Sequence, residues 1–325
     1  MRLIDADAVA DLVDFPMLCL EMINAFETGA AQSVQCPEKC LIQSKNSAAR
    51  FLTMPVLDPG LGIFAVKIGT IFPRSPGDSL PTVHADMMIW CAQTGQPIAL
   101  IDGNAMTQIK CAAVSAIITD RCTRQDVHTL AIVGSGAQAA AQIQGVGHVR
   151  QIKSLRLTGR TEKNVRRFAQ KVCRDYPDWK VSIHPTVNDA IAGADIVATT
   201  TSATRPQADF SALGEGIHVN CMGGHDVEGR ELPHNFLLES RLIVEDRPTA
   251  IAEAGSLHEN AIDLTELFTE DASALRSTRT VFSSTGHAFL DLLTAVHLYR
   301  GSVMIGLEKS VGPQPTVSAS VKLSG

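Results

Sequence analysis

The sequence predicts an α/β fold of two parts, a doubly wound Rossmann sheet and a separate α+β domain. Three observations support this. The 325 residues exceed one typical domain and suit two. Strand-like runs follow one another in the first hundred residues, whereas strands and helices alternate from about residue 127 onward. Alternation of this kind is typical of a doubly wound parallel sheet.

The N-terminal part begins as a helix and continues as strands. Apolar residues recur at helical spacing over residues 5–28. Strand-like runs follow, some of them separated by glycine and proline turns, at residues 39–42, 50–56, 63–70, 83–91 and 97–102. Strands in succession after one helix indicate an α+β layer rather than a parallel sheet.

The central part alternates between strands and helices. A helix rich in small residues, 107–122, leads into the apolar run Thr129–Val133, which is typical of a buried strand. Further helices are predicted at 137–149, 162–174 and 187–193, and strands at 154–158, 180–183, 195–201, 216–221 and 242–245. Residues 284–291 lead into a closing helix that we expect to pack on the N-terminal part. The last dozen residues are typical of a frayed tail.

Composition excludes several classes of protein. The formal net charge of -6 gives no basic surface for nucleic acid, although it does not exclude an acidic substrate. The eight cysteines form no C-x-x-C pair, so we expect free thiols in a reducing cytosol and no zinc site. His84 and Asp86 lack a third ligand at metal-binding spacing, so no metal is predicted. No apolar run approaches the ~18 residues that span a bilayer, so we expect a soluble, cytoplasmic protein.

A glycine-rich turn follows the first strand of the alternating part. The pattern G-x-G-x-x-A is specific only where it closes an apolar strand and opens a helix, as it does here. Gly134 allows a tight turn, Gly136 lets the backbone approach a pyrophosphate, and the helix N-terminus supplies N–H groups. The alternative is a turn that binds no ligand. The predicted dinucleotide-binding residues of this turn are Gly134, Ser135, Gly136, Ala137 and Gln138.

The end of the second strand of this part bears on which nicotinamide cofactor binds. An NAD site normally carries an acid there to hold the ribose hydroxyls, but this chain has Arg160 and Thr161 after Gly159. Arg160 suits a 2′-phosphate, so NADP(H) is the preferred prediction and NAD(H) remains possible. Alternatively, Arg160 stacks on the adenine and either cofactor is accepted. Thr200 and Thr201, at the end of a later strand, are predicted to lie along the cofactor.

Matches spread along the chain resemble the ornithine cyclodeaminase and mu-crystallin family. In chain order they are Pro37–Lys39, Arg50, Met54–Pro55, Val66–Lys67, Thr94–Gly95, Asp102–Asn104, Thr107, Cys111–Ala116, Gly134–Ala139, Gly216–Asn220, Gly224–Asp226, Glu231–Leu232, Ser284–Gly286 and Asp291. The resemblance implies a homodimer of two-domain chains, and the charge and apolar pattern described above predict no nucleic-acid or membrane partner. Residues 1–115 and 290–325 would form the dimerisation and substrate domain, and residues 116–289 the Rossmann domain.

The resemblance also implies hydride exchange between a nicotinamide and the α-carbon of an amino or imino acid. The leading hypothesis is reduction of Δ1-pyrroline-2-carboxylate, Δ1-piperideine-2-carboxylate or a linear imino acid. Ornithine cyclodeaminase with bound NAD+ is the second hypothesis. A cofactor-binding or small-molecule-binding protein without catalysis is the third. The loop 72–78 is a candidate for substrate specificity by analogy.

The same resemblance suggests site residues. Lys39, Arg50, Lys67 and Lys110 are the cations expected to hold the substrate carboxylate. Lys67 is also a candidate for proton exchange, because a desolvated cluster of amines favours the neutral form of an amine. Asp226, in a glycine-rich loop, is the second catalytic candidate. Each has a structural alternative: a solvent-reaching lysine for Lys67, surface ion pairs for the other cations and a turn or helix cap for Asp226.

Three departures from the family pattern weaken the cyclodeaminase hypothesis more than the family resemblance. Lys110 stands where the family commonly has an arginine, and lysine lacks the planar fork that binds a carboxylate twice. The stretch after Asp226 is about one residue shorter than usual. The acid of the NAD-dependent cyclodeaminases is absent near Arg160.

Overall fold

The computed structural model describes residues 1–45, 47–72, 80–223 and 229–306. The chain forms two compact units. The first contains Met1–Asp14, Ala30–Thr107 and the segment from Ala288 onward, and the second contains Phe15–Gly29 and Gln108–His287. The sequence-based division placed residues 15–29 and 108–115 in the first part, whereas the compact units place them in the second.

The first unit is built on a six-stranded sheet of order β1-β6-β5-β4-β3-β2. Strands β2 to β6 form antiparallel pairs, and β1 joins the edge parallel to β6. The elements of this sheet are β1 (Arg2–Ile4), β2 (Cys40–Gln43), β3 (Arg50–Asp58), β4 (Ile63–Ile71), β5 (Val83–Cys91) and β6 (Pro97–Asp102). Helices α1 (Ala6–Leu12) and α11 (Ala288–Met304) pack on it. The closing helix therefore returns to the N-terminal part, as the sequence predicts.

The predicted helix over residues 5–28 is two helices in the structure. Helix α1 ends at Leu12, and α2 (Phe15–Glu27) begins after an extended residue, Val13. Pro16 explains the break, because a proline lacks the N–H that a helix continuing through this position would need. The backbone N–H of Asp14 instead donates to Nε2 of His297 at 3.0 Å.

The second unit is built on an eight-stranded parallel sheet of order β13-β12-β14-β11-β10-β7-β8-β9. The strands are β7 (Thr129–Val133), β8 (Ser154–Thr158), β9 (Lys180–Ile183), β10 (Ile196–Thr199), β11 (His218–Cys221), β12 (Arg241–Val244), β13 (Ile262–Asp263) and β14 (Thr280–Ser283). The helices are α3 (Gly103–Cys122), which starts in the first unit, α4 (Ala137–Val149), α5 (Glu162–Asp175), α6 (Val187–Ile191), α7 (His234–Leu238), α8 (Arg247–Ala254), α9 (Leu264–Leu267) and α10 (Ala272–Ser277). The strand order reverses between β7 and β10, as in a doubly wound sheet.

Both faces of this parallel sheet are covered, which explains why its strands are continuous apolar runs. Alternate residues of β7 enter two different core clusters. Leu130 and Ile132 pack with one cluster, and Ala131 and Val133 with the other. The predicted combination of a Rossmann sheet with an α+β layer is confirmed.

Candidate functional site

The carboxyl ends of β7, β8, β10, β11 and β14 meet at one edge of the parallel sheet, because parallel strands end on the same side. In open α/β sheets ligands bind at this edge, beside the point where the strand order reverses. That point lies between β7 and β10, so the turn after β7 and the loop after β10 form the centre of the candidate site.

Gly134 closes β7 in a conformation that requires glycine. Its φ is +122°, and a Cβ there would lie 2.4 Å from Oγ1 of Thr200. Its N–H donates to the carbonyl of Thr158 at 2.9 Å, at the end of β8. The hydroxyl of Thr200 in turn donates to the carbonyl of Val133 at 3.0 Å. Gly134 is thus wedged between two strand ends, and Thr200, a predicted cofactor contact, helps to close the turn.

The N-terminus of α4 presents a surface that fits a pyrophosphate. Gly136 is the N-cap, has no side chain to occupy the first N–H groups of the helix, and is exposed. A Cβ at Gly136 would meet nothing within 4 Å. Next to it, the buried Oε1 of Gln138 has no hydrogen-bond partner among the described residues. The pyrophosphate of a dinucleotide binds to backbone N–H groups at a helix N-terminus that no side chain covers. The residues at the start of α4 therefore fit a pyrophosphate.

Arg160 and Thr161 lie where the sequence predicts, at the end of β8 and the start of α5. Both are exposed. Thr161 is the N-cap of α5 but makes no side-chain capping hydrogen bond. Gly159 before them packs closely, since a Cβ there would lie 3.0 Å from Val165. The described strand end carries a cation and no acid.

A buried carboxylate joins two of the loops at this edge. Glu231 accepts from the N–H of Thr201 at 2.7 Å and from the N–H of Gly223 at 3.0 Å. Burial raises the pKa of the Glu231 carboxyl, and the hydrogen bonds from Thr201 and Gly223 oppose this without cancelling it. Glu231 therefore ties the loop after β10 to the loop after β11. The hydroxyl of Thr201, a predicted cofactor contact, also donates to Glu231.

Lys110 lies on α3 and is buried. A Cβ placed on Gly286 would be 3.7 Å from its Nζ, so the lysine reaches the loop that follows β14. A second buried carboxylate shapes that loop: Glu245 accepts from the N–H groups of Thr285 and Gly286 at 3.0 and 3.1 Å, and from the hydroxyl of Ser284 at 2.6 Å. Lys110 is therefore a cation beside a fixed loop of the second unit.

Lys67 lies in the middle of β4 on the face of the six-stranded sheet that packs on α11. It is 8% exposed, and its Nζ contacts a carboxylate oxygen of Asp291, which is 0% exposed. The sequence did not predict this contact between Lys67 and an acid. An adjacent carboxylate generally favours the ammonium form of a lysine.

Arg50 and Lys39 lie in the same sheet. Arg50 begins β3 and is exposed. It lies on the same face as Lys67, because Met54 pairs with Lys67 and Arg50 is four positions before Met54. Lys39 is half-buried and immediately precedes Cys40, which pairs with Thr53. The register therefore brings Lys39 to the level of Lys67 and places Arg50 about 13 Å further along the strand.

Some predicted positions cannot be placed. Asp226 lies outside the described residues, and so does most of the loop 72–78, of which only Phe72 is described. Among the residues that the structure describes, no group of three or more histidine, cysteine or acidic side chains could hold a metal ion. No helix in this described part is long and apolar enough to cross a membrane.

Sequence reasoning assigned no role to three buried carboxylates: Glu231, Glu245 and Asp291. Glu231 and Asp291 were visible only as acids in family matches, and Glu245 only as the last residue of a predicted strand. Their partners, Thr201, Ser284 and Lys67, are distant in sequence, and no local pattern connects them.

A parallel sheet whose first strand ends in this glycine turn, followed by a helix with an open N-terminus, defines a dinucleotide-binding Rossmann protein. The comparisons with known proteins narrow this class. The chain belongs to the ornithine cyclodeaminase/mu-crystallin family, whose profile matches residues 8–303. The resemblance inferred from the sequence is therefore confirmed.

Relatives match over nearly the whole chain. A Δ1-pyrroline-2-carboxylate reductase of Bacillus thuringiensis subsp. konkukian is 29% identical, over 96% of this chain and 99% of the relative. The ketimine reductase mu-crystallin of Rattus norvegicus is 27% identical, over 91% and 96% of the two chains. The solved Δ1-pyrroline-2-carboxylate reductase of Thermococcus litoralis, in complex with NADH and L-proline, shares the fold. It has a TM-score of 0.87 at 23% identity and covers 96% of this chain and 100% of that one.

Proposed function

We propose that this chain is a nicotinamide-dependent oxidoreductase that reduces a small imino acid to the amino acid. The observation that carries the proposal is the end-to-end match with relatives named as reductases of a cyclic imine and of ketimines. The bacterial relatives make Δ1-pyrroline-2-carboxylate the first substrate to test. Δ1-Piperideine-2-carboxylate and linear imino acids are the next.

The proposed reaction needs a cofactor site, cations for the substrate carboxylate and a source of a proton. When bound, the reduced nicotinamide supplies a hydride to the imine carbon, the C=N electrons pass to nitrogen, and nitrogen takes up a proton. The helix N-terminus at Gly136 would hold the pyrophosphate. Lys39, Arg50, Lys67 and Lys110 are the proposed cations for the substrate carboxylate, and their contribution is to orient the imine carbon. Lys67 and Asp226 are the two proposed groups for the proton.

The test is a coupled measurement of cofactor and product. Purified protein is mixed with NADPH and Δ1-pyrroline-2-carboxylate, and the nicotinamide absorbance is followed while proline is quantified. The proposal expects one proline for each NADPH oxidised. Proline and ammonia from ornithine, with no net change in the cofactor, would instead establish the cyclodeaminase. NADPH binding with no turnover of any imino acid would establish a binding protein and overturn the reductase.

Arg160 is proposed to set a preference for NADP(H). It is an exposed cation after the end of β8, where a 2′-phosphate would lie, and the strand end itself, residues 157–161, carries no acid. We expect Arg160→Ala to raise the KM for NADPH about tenfold or more, since one charge-assisted hydrogen bond contributes about 1.5–3 kcal/mol. The KM for NADH should stay unchanged. Arg174→Ala, an exposed arginine in the last turn of α5, is the matched control. An equal rise in the KM for NADPH and for NADH would show that Arg160 does not bind the 2′-phosphate.

A homodimer is proposed through the outer face of the six-stranded sheet. On this face, Ile42, Phe51, Phe64 and Ile68 are exposed apolar residues, with Ile68 50% and Phe64 39% accessible. A contiguous apolar face of this kind marks an interaction surface. The implied occupant is a second copy of this chain, as the family resemblance indicates.

Charge on that face is therefore expected to separate the subunits. Ile68→Glu should shift the molar mass measured by sedimentation from dimer to monomer, because an ionised carboxylate would be buried without a partner. Leu238→Glu is the control, since Leu238 is also an exposed apolar residue but belongs to the second unit. A dimer that survives Ile68→Glu at low concentration would contradict this placement of the interface.

A reducing, cytoplasmic location is proposed as well. The support is that all eight cysteines are free thiols.

A further inference from the structure

Asp291 is a buried acid placed directly on the lysine that the proposed reaction uses. It lies in the first turn of α11, is 0% exposed, and contacts Nζ of Lys67 across a sequence separation of 224 residues. Both residues belong to the first unit, so the pair is internal to it. The N-terminal position on the helix favours an ionised carboxylate.

Buried apolar side chains flank the pair, and two cations, Lys39 and Arg50, lie on the same face of the sheet. In the sheet register Lys67 pairs with Met54 on β3 and Met87 on β5, and both methionines are buried. On α11 the neighbours Leu290 and Leu292 are also buried. A buried ammonium group without a counter-charge is strongly disfavoured, whereas a paired one is tolerated. The contact with Asp291 therefore favours the ammonium form of Lys67.

We propose that Asp291 is a positioning residue that fixes Nζ of Lys67 and holds it as ammonium. This inference rests on the proposed function and refines it. Lys67 then acts as a fixed cation and hydrogen-bond donor toward the substrate, and not as a neutral amine base. The ammonium group can give a proton to the imine nitrogen during hydride transfer and regain one from solvent, so Lys67 remains one of the proposed groups for the proton.

The first experiment reads the protonation of Lys67 without any turnover. Lysine labelled with 13C at Cε is incorporated into the full chain, and the Lys67 signal is assigned with Lys67→Arg. We expect its deprotonation midpoint to fall by about 1–3 pH units in Asp291→Asn, because the opposite charge is removed. Asp58→Asn, the same change at another buried carboxylate of the first unit, should leave the midpoint unchanged. An identical Lys67 titration in wild type and Asp291→Asn would overturn the proposal.

The second experiment reads catalysis as a function of pH. In Asp291→Asn we expect kcat/KM for Δ1-pyrroline-2-carboxylate to fall at least about tenfold near neutral pH, with the alkaline loss of activity moving to lower pH. The KM for NADPH should not change. Asp291→Glu restores the negative charge, so its activity should again be lost at the same alkaline pH as in the wild type. A variant that is only less stable, with the wild-type pH profile and KM values, would overturn the positioning role.

A double variant tests the role of the pair even if Asp291→Asn does not fold. Lys67→Met with Asp291→Leu replaces the buried pair by apolar side chains and should fold, since such exchanges are often neutral or stabilising. If this variant folds and keeps wild-type turnover, the pair has no role in the reaction.

The failure of the proposed function can be told apart from the failure of this inference. If the wild-type protein reduces no imino acid but its Lys67 signal shifts in Asp291→Asn, the proposed function fails and the control of Lys67 by Asp291 stands. If it reduces the imine and the signal does not shift, only this inference fails.

Discussion

Gly136→Val is expected to abolish dinucleotide binding while leaving the fold intact. A Cβ at this position would meet nothing within 4 Å, and its φ of -92° and ψ of -167° suit any residue. The added side chain would nevertheless stand over the N–H groups of α4, where the pyrophosphate must approach the backbone. We expect the Kd for NADPH, measured by Trp fluorescence, to rise at least about 100-fold, a loss of about 2.7 kcal/mol. The midpoint of thermal unfolding without cofactor should stay within about 2 °C of wild type.

Two further glycine variants make this result specific. Gly134→Ala should lose both stability and binding, since its φ is +122° and its Cβ would lie 2.4 Å from Oγ1 of Thr200. We expect a cost of about 1–3 kcal/mol from the backbone strain alone. Gly214→Ala should change neither property, because Gly214 has no positive φ and no atom within 4 Å of a Cβ. Wild-type affinity in Gly136→Val would show that this turn does not hold the cofactor.

The turn could be predicted from the sequence because its information is local. An apolar strand, two glycines and a helix lie within one short segment, and the same holds for the alternating elements from β7 onward. The break between α1 and α2 was missed, although Pro16 signals it, because the apolar spacing continues across it. Local patterns therefore fixed the fold class but not every element boundary.

The acidic partner of Lys67 could not be predicted, because the contact joins residues that are distant in the sequence. The sequence shows a lysine in an apolar strand, which means either a solvent-reaching side chain or a partner. It does not show that Asp291 is that partner, since strand register and helix docking together decide this. The expectation of clustered amines came from listing cations by position, and it stays a prediction.

Arg150 provides a test of whether the stability of the fold and cofactor binding can be altered separately. Its guanidinium is fully buried and closes the C-terminal end of α3. It donates to the carbonyls of Asp120, Thr123 and Arg124 at 3.0, 2.7 and 2.8 Å, and to the Asp120 carboxylate at 2.6 Å. These carbonyls lie at a helix end, where no backbone N–H is available to them.

Arg150→Met is therefore expected to destabilise the protein by about 3–5 kcal/mol, because the carbonyls of Thr123 and Arg124 would lose this donor at about 1–3 kcal/mol each. The Asp120 carbonyl also accepts from Arg276 at 3.1 Å and keeps that donor. Little of this should come from the Asp120 carboxylate, which is half exposed and can be hydrated. Arg150→Lys should recover only part of the lost stability. The acceptors lie around the planar guanidinium of Arg150, and the single ammonium group of a lysine cannot reach all of them. Arg124→Met is the matched control, because that side chain makes only an exposed ion pair with Asp126 among the described contacts, and such pairs contribute about 0–1 kcal/mol. Urea unfolding measures all three variants.

The same variant should leave the affinity for NADPH unchanged in the folded molecules. Arg150 caps the far end of α4, about 20 Å along the helix from Gly136, so its loss does not alter the N–H groups at the cofactor end. Gly136→Val and Arg150→Met are thus expected to give opposite results at the two ends of one helix, one affecting binding alone and the other stability alone. A Kd for NADPH that rises in Arg150→Met under conditions where the protein is fully folded would show instead that α4 transmits strain along its length.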